Sequence, residues 1–167
     1  FGLVVKTFAK GNSQIDKNFM SSAIKEVTDN YPNKKCKIYF LHGYMDEQEI
    51  HSLYVHPKVK ALINFGHGEG FGLPLLEAAV AGLPVVATGW SAHTEFLKGP
   101  SFLEAKYDMT VVPPSRVDGA IFVPDAMWAE PREGNFCRKL KLAFENREAL
   151  SKEAKVLSKT LTKTHSL

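Results

Sequence analysis

The sequence predicts an α/β fold built on a doubly wound parallel sheet, and three observations carry that expectation. The first is a strand–helix–strand signature. An apolar run, Val59-Lys60-Ala61-Leu62-Ile63-Asn64-Phe65, leads into a glycine-rich turn, a helical stretch and a second run, Leu83-Pro84-Val85-Val86-Ala87-Thr88. Connections of this kind join parallel strands by a right-handed crossover. The second is that other short apolar runs alternate with stretches of helical periodicity on both sides of this unit. The third is size and balance: 167 residues, 44% hydrophobic and 23% charged, read as one ordinary globular domain over residues 1–167 that buries roughly 70% of its unfolded surface.

The remaining elements follow in order. Gly2 to Phe8 is expected as the first strand. Ile15, Phe19, Ala23, Ile24 and Val27 recur at helical spacing, which predicts an amphipathic helix from Ser13 or Asp16 to about Asn30, stopped by Tyr31-Pro32-Asn33. Lys37 to Leu41 is the second strand and Gln48 to Tyr54 a short helix. Another short helix is expected near Ala92 to Leu97. Between Ser101 and Pro131, Phe102-Leu103 and Met109 to Val112 read as short strands, while Pro113-Pro114, Gly119 and Pro124-Asp125 mark a long irregular connection. Leu140, Phe144 and Leu150, then Ala154, Leu157 and Leu161, space two closing helices. There is no internal repeat or low-complexity tract.

The chemistry concentrates in His67 to Val86, HGEGFGLPLLEAAVAGLPVV. Glu69 falls in the glycine turn and Glu77, eight residues on, in the first turn or so of the helix. Gly66, Gly68, Gly70 and Gly72 let main-chain N–H groups approach a ligand closely. Pro74 suits the start of the helix and Gly82 its end. The helix N-terminus then aims a positive dipole and free amides at the turn. An anion site with a carboxylate on either side suits a ligand carrying both phosphates and sugar hydroxyls, and open parallel sheets bind ligands at the carboxyl ends of their strands.

Glu69 to Ala79, EGFGLPLLEAA, together with Gly82, Pro84, Val85 and Val86, resembles the E-x7-E signature of retaining glycosyltransferases with the GT-B fold, family 4 in particular. Two glutamates at that spacing alone would mean little; the dense match around them gives the resemblance its specificity. It is strong from about residue 59 to 97 and looser outside. Ile38 to Met45 with Glu49 to Tyr54 resembles the family's strand, nucleotide-facing loop and short helix, and Trp128, Pro131 and the helix beyond resemble its closing segment. The resemblance implies the Rossmann-like second half of a GT-B enzyme, which binds a nucleoside diphosphate sugar. It also implies a preceding acceptor domain that this chain lacks, so that the isolated chain is expected to be inactive in transfer. The acceptor would be a saccharide, lipid-linked or other hydroxyl, and neither a cofactor nor a metal is implied.

Roles carry over residue by residue. Glu77 would accept hydrogen bonds from both hydroxyls of a ribose. Glu69 would lie against the donor sugar and stabilise charge at its anomeric carbon. Gly70, Phe71, Gly72 and Leu73 would offer amides to sugar and diphosphate oxygens, with the Phe71 ring itself expected in the core. The family's arginine after the first strand is absent here. Lys6 is its expected replacement and Lys10 a second cation, with Lys17 a weaker candidate, although lysine is a point charge where arginine is a fixed fork. Gly43, Tyr44 and Met45, after His42, would hold the nucleobase. His67, His93 and Glu95 complete the candidates around the turn.

Other classes find little support. Cys36 and Cys137 lack metal-ligand spacing and are expected as two buried thiols. The six histidines form no HExxH-like arrangement. No apolar run approaches the ~20 residues of a membrane span, and a cytoplasmic location is expected. A net charge of +3 does not favour nucleic-acid binding. Arg138, Lys139, Lys141, Arg147, Lys152, Lys155, Lys159 and Lys163 leave peripheral contact with an anionic membrane open, as a solvated helix face would also explain them. Two alternatives stand beside the transferase: a GT-B-like nucleotide-sugar epimerase, and a non-catalytic nucleotide-sugar-binding module.

Overall fold

Two parallel strands and a helix make up the first of two units, Phe1–Glu49, in a computed structural model that describes residues 1–164. β1 (Gly2–Thr7) and β2 (Lys37–His42) pair in parallel from Gly2 opposite Lys37 to Thr7 opposite His42. Val4, Val5, Ile38, Tyr39 and Phe40 are β-branched or aromatic and favour this pleated pairing. α1 (Gln14–Asp29) connects the strands, and the hydroxyl of its cap, Ser13, accepts a hydrogen bond from the Asp16 amide at 3.1 Å.

The face that α1 turns inward differs from the one its apolar spacing predicts. Ile15, Phe19 and Val27 are exposed, Ile15 at 82%, whereas Asp16 is buried and Met20, Ile24 and Thr28 are half-buried. The reason is local. The Asp16 carboxylate accepts from the amides of Ala9 and Lys10 and from the His42 ring, which pulls its side of the helix toward the strand ends. Asp16 and Ile15 lie about 100° apart on a helix of 3.6 residues per turn, so burying one turns the other out.

α2 (Glu47–Tyr54) begins with a reciprocal capping box. The Glu49 amide donates to the Asp46 carboxylate at 2.8 Å, and the Asp46 amide donates to that of Glu49 at 2.9 Å.

The second unit, from Ile50 onward, centres on three parallel strands in the order β3 (Leu62–Asn64), β4 (Val85–Thr88) and β5 (Phe102–Ala105). β4 is buried along its whole length, so its side chains alternate between two cores. Val85 and Ala87 join Leu75, Leu76, Phe96, Leu97 and Leu161 on one face. Val86 joins Ala105, Phe136, Ala143 and Leu150 on the other. Helices therefore cover both faces: α3 (Leu73–Val80), α4 (His93–Phe96) and α6 (Arg147–Thr164) contribute to the first core, α5 (Glu133–Glu145) and α6 to the second. Each fully buried Leu, Val or Phe here contributes about 1.5–3 kcal/mol relative to exposure.

α3 is apolar on nearly every side, as expected of a helix enclosed in a core. It stops at Ala81 and Gly82, the latter at φ +78°. α6 is tied to it where the Ser158 hydroxyl donates to the Val80 carbonyl at 2.5 Å. β6 (Tyr107–Val111) and β7 (Met127–Pro131) form an antiparallel hairpin after β5, so part of the stretch expected as irregular is ordered by strand pairing.

The cysteines depart from expectation. Both are free thiols, Cys36 half-buried and Cys137 exposed. Cys137 follows the buried Phe136 on α5, and one further step around the helix carries it outward.

Candidate active site

β3 ends at Asn64, and the chain then makes the glycine turn that carries Glu69 at the carboxyl end of the sheet. Gly72 closes the turn as the residue before α3, at φ +83°. A Cβ at this position would lie 3.1 Å from His93 Cβ and 3.2 Å from Leu75 Cδ1, so both backbone conformation and space require glycine. The Gly72 carbonyl accepts from the amides of Leu75 and Leu76. Among the described residues, the amides of Gly70, Phe71, Gly72 and Leu73 donate to no protein group. Four successive free donors lead into a helix N-terminus, an arrangement suited to anionic oxygens.

Glu69 is half-buried and fixed at three points. Its amide donates to the Ser91 hydroxyl at 3.0 Å, that hydroxyl donates to the Glu69 carbonyl, and the Asn64 side-chain amide donates to Oε1 at 2.5 Å. Asn64 also accepts from the Gly66 amide at 2.6 Å. Among the described residues, Glu69 Oε2 has no partner.

Glu77 lies on α3 as its fifth residue, just past the first turn, with Gly72 letting the helix begin at Leu73, ahead of Pro74. It is half-buried and lies near enough to the Tyr54 phenol to act on its titration. Burial, and then the neighbouring Glu77 charge, push the Tyr54 phenol from its ordinary 10 up to about 12. A carboxylate offers roughly four acceptor positions, so Tyr54 leaves room on Glu77 for further donors.

His67 faces the hairpin. Its ring stacks on Trp128 at 3.9 Å between centroids, and Nε2 lies 2.9 Å from the Glu130 carboxylate. The Ala129 amide donates to the His67 carbonyl at 3.2 Å. His93 is buried beneath Gly72 and donates from Nε2 to the Thr88 carbonyl at 2.7 Å, a packing role. Among the described residues, His93 Nδ1 and Thr88 Oγ1 are buried side-chain atoms without a hydrogen-bond partner. Glu95 is exposed on α4. Phe71, expected in the core, is half-exposed with its ring 5.5 Å from Phe96, because the turn carries it to the rim of the apolar cluster.

The other candidates lie in the first unit, at the carboxyl ends of β1 and β2. Asp16 holds the amide of Lys10 at 2.8 Å and the His42 ring at 2.8 Å. The His42 hydrogen bond is the main cause holding the Asp16 carboxyl below the usual carboxylate range. Gly43, at φ +98°, packs against Asn12, whose side chain accepts from the Tyr44 amide at 2.5 Å. Tyr44 is exposed and Met45 half-buried. The Lys6 ammonium sits 4.9 Å from the centre of the Phe8 ring, while Lys10 and Lys17 are exposed.

Sequence reasoning missed Asn64, Ser91 and Tyr54. Asn64 gave a signal, as the polar residue ending an apolar strand just before the turn; Ser91 and Tyr54 reach the two glutamates from 22 and 23 positions away and gave none. Among the described residues, no cluster of three or more His, Cys, Asp or Glu could hold a metal ion, and no helix is long and apolar enough to cross a membrane.

The fold is a parallel α/β unit with an acid-bearing glycine turn at the carboxyl end of its sheet, the edge at which open α/β sheets bind ligands. Residues 46–166 match the model of a family described as Family 4 Glycosyltransferase in conflict systems, and the chain belongs to that family. It is thus a family 4-like glycosyltransferase domain. No curated protein and no solved structure matches it.

Proposed function

We propose that the chain is the donor-binding, Rossmann-like half of a retaining GT-B glycosyltransferase, moving a sugar from a nucleoside diphosphate to an acceptor hydroxyl. The observation that carries this reading is the glycine turn: a carboxylate with one oxygen fixed by Asn64 and one unpartnered, next to four unused amides at the start of α3. In this reading the amides receive diphosphate oxygens, and Glu77 receives ribose hydroxyls while Tyr54 steadies it. The bond from the anomeric carbon to the diphosphate breaks and a bond to the acceptor oxygen forms on the same face. The acceptor proton passes to the departing phosphate, so the reading asks for no side-chain base. The charge of Glu69 favours the positive character that develops on the sugar. Lys6 and Lys10 stand as candidate cations by resemblance alone, and the reading assigns no role to a metal.

Calorimetry against UDP, GDP, ADP and their common sugar conjugates tests the reading. One nucleotide is expected to bind, and Glu77→Ala to weaken it about 10- to 150-fold, the equivalent of one or two hydrogen bonds to a charged group. Glu69→Gln is expected to keep binding and lose turnover of the bound donor. Unchanged turnover would remove the role of Glu69, and donor binding without turnover in the wild type would favour a binding module. Unchanged affinity in Glu77→Ala would remove the ribose assignment.

A further inference from the structure

Glu69 is held by two residues that have no part in the proposed ligand contacts. Ser91 follows β4 and Trp90, and is one of two non-glycine residues in the described chain with positive φ, at +93°. An L-residue in that region is strained, and such strain persists where the surroundings over-determine it. What Ser91 gains is a two-way contact: its Oγ accepts from the Glu69 amide and donates to the Glu69 carbonyl. A single hydroxyl thus satisfies both backbone groups of the one acid in the turn. Asn64 acts on the other end of the same residue. Its Nδ2 donates to Glu69 Oε1 and its Oδ1 accepts from the Gly66 amide, so the side chain is locked by the loop that it orients.

Together these contacts set the Glu69 backbone and the rotation of its carboxylate, and leave Oε2 as the oxygen available to a ligand. Of the other ionisable groups around the turn, Glu95 is exposed on α4 and both histidines have a partner for one ring nitrogen. His67 is paired with Glu130, and His93 donates to the Thr88 carbonyl. Glu104 packs against Gly89.

We propose that Ser91 and Asn64 are positioning residues for Glu69, aiming one carboxylate oxygen at the reacting sugar while touching no substrate themselves. This deepens the transferase reading and rests on it. A carboxylate free to rotate would spend part of its time with its charge misdirected, so loss of either contact should lower turnover more than donor affinity.

The test uses Ser91→Gly and Asn64→Asp in the full chain, with Glu69→Gln as reference. Glycine relieves the left-handed strain while removing the hydroxyl. Aspartate keeps an acceptor for the Gly66 amide and removes the donor to Glu69. Expected for both variants is a fall in kcat for donor turnover of about 10-fold or more, with KM and calorimetric donor affinity close to wild type. Ser91→Gly should in addition keep or raise the thermal midpoint and speed hydrogen exchange at the Glu69 amide. A lowered midpoint together with weakened donor binding would mean that Ser91 serves the fold, and would overturn the proposal. So would unchanged Glu69 amide exchange, or wild-type kcat in both variants while Glu69→Gln is inactive. If Glu69→Gln itself turns over donor at the wild-type rate, the reading of Glu69 fails, and this proposal with it.

Discussion

Replacing Tyr54 by phenylalanine removes one hydroxyl and tests how Glu77 is held. Burial first, and then the neighbouring Glu77 carboxylate, push the phenol from 10 to about 12. Between protonation states, that rise corresponds to roughly 3 kcal/mol. Tyr54 is only partly buried, and solvent screening reduces the part expressed as stability to about 1 kcal/mol. The sign follows from linkage. A group whose folded pKa is raised lends its full contribution below the unfolded value and loses it as pH climbs through the folded one. Wild type should therefore lose about 1 kcal/mol relative to Tyr54→Phe between pH 10 and 12. Urea unfolding of both proteins at pH 7, 9.5 and 11.5, followed by circular dichroism, measures the difference. Parallel stability curves across that range would refute the contact as an energetic tie.

Gly72→Ala should destabilise the chain by about 1–2 kcal/mol, the cost of a left-handed alanine, and more if His93 and Leu75 do not yield. Denaturant midpoints read this directly, and equal midpoints would mean that the turn re-forms with another geometry. In the first unit, Asp16 has its carboxyl held down chiefly by the His42 hydrogen bond. Its contribution is present above the ordinary value of 3.8 and is lost as pH falls through the lower folded value. Asp16→Asn should therefore flatten the acid limb of unfolding, seen as a smaller drop in thermal midpoint from pH 5 to pH 3 than in wild type.

What the sequence made legible was mostly local. The β3–α3–β4 segment announces itself because each boundary has its own chemical cause: a glycine turn, a proline in the first helical turn, Gly82 at the end. The closing helices were visible in the spacing of Leu140, Leu150, Leu157 and Leu161, which lie in or against the two cores, and of the buried Ala154, whereas Phe144 of the same pattern is exposed. α1 shows where periodicity misleads. Its stripe from Ile15 to Val27 is the more apolar face, yet one aspartate with three hydrogen-bond donors to meet sets which side turns inward. β7 escaped notice because Met127 to Pro131 is a strand only through its pairing with β6. Glu69 and Glu77 could be picked out from spacing and resemblance. Ser91 and Tyr54, which hold them, could not, since neither has a local reason to be polar where it stands.

The grip of β7 on the turn has a consequence for insertions and deletions. Three consecutive residues, Trp128, Ala129 and Glu130, engage the single residue His67 by ring face, amide and carboxylate. Side chains along a strand alternate with a period of two, so a one-residue slip exchanges the faces of the whole strand. A deletion anywhere between residues 112 and 126 that shifted β7 against β6 would break all three attachments together. The acid-bearing turn thus inherits its alignment from the length of a distant connector, and could be silenced by an edit that touches none of its own residues.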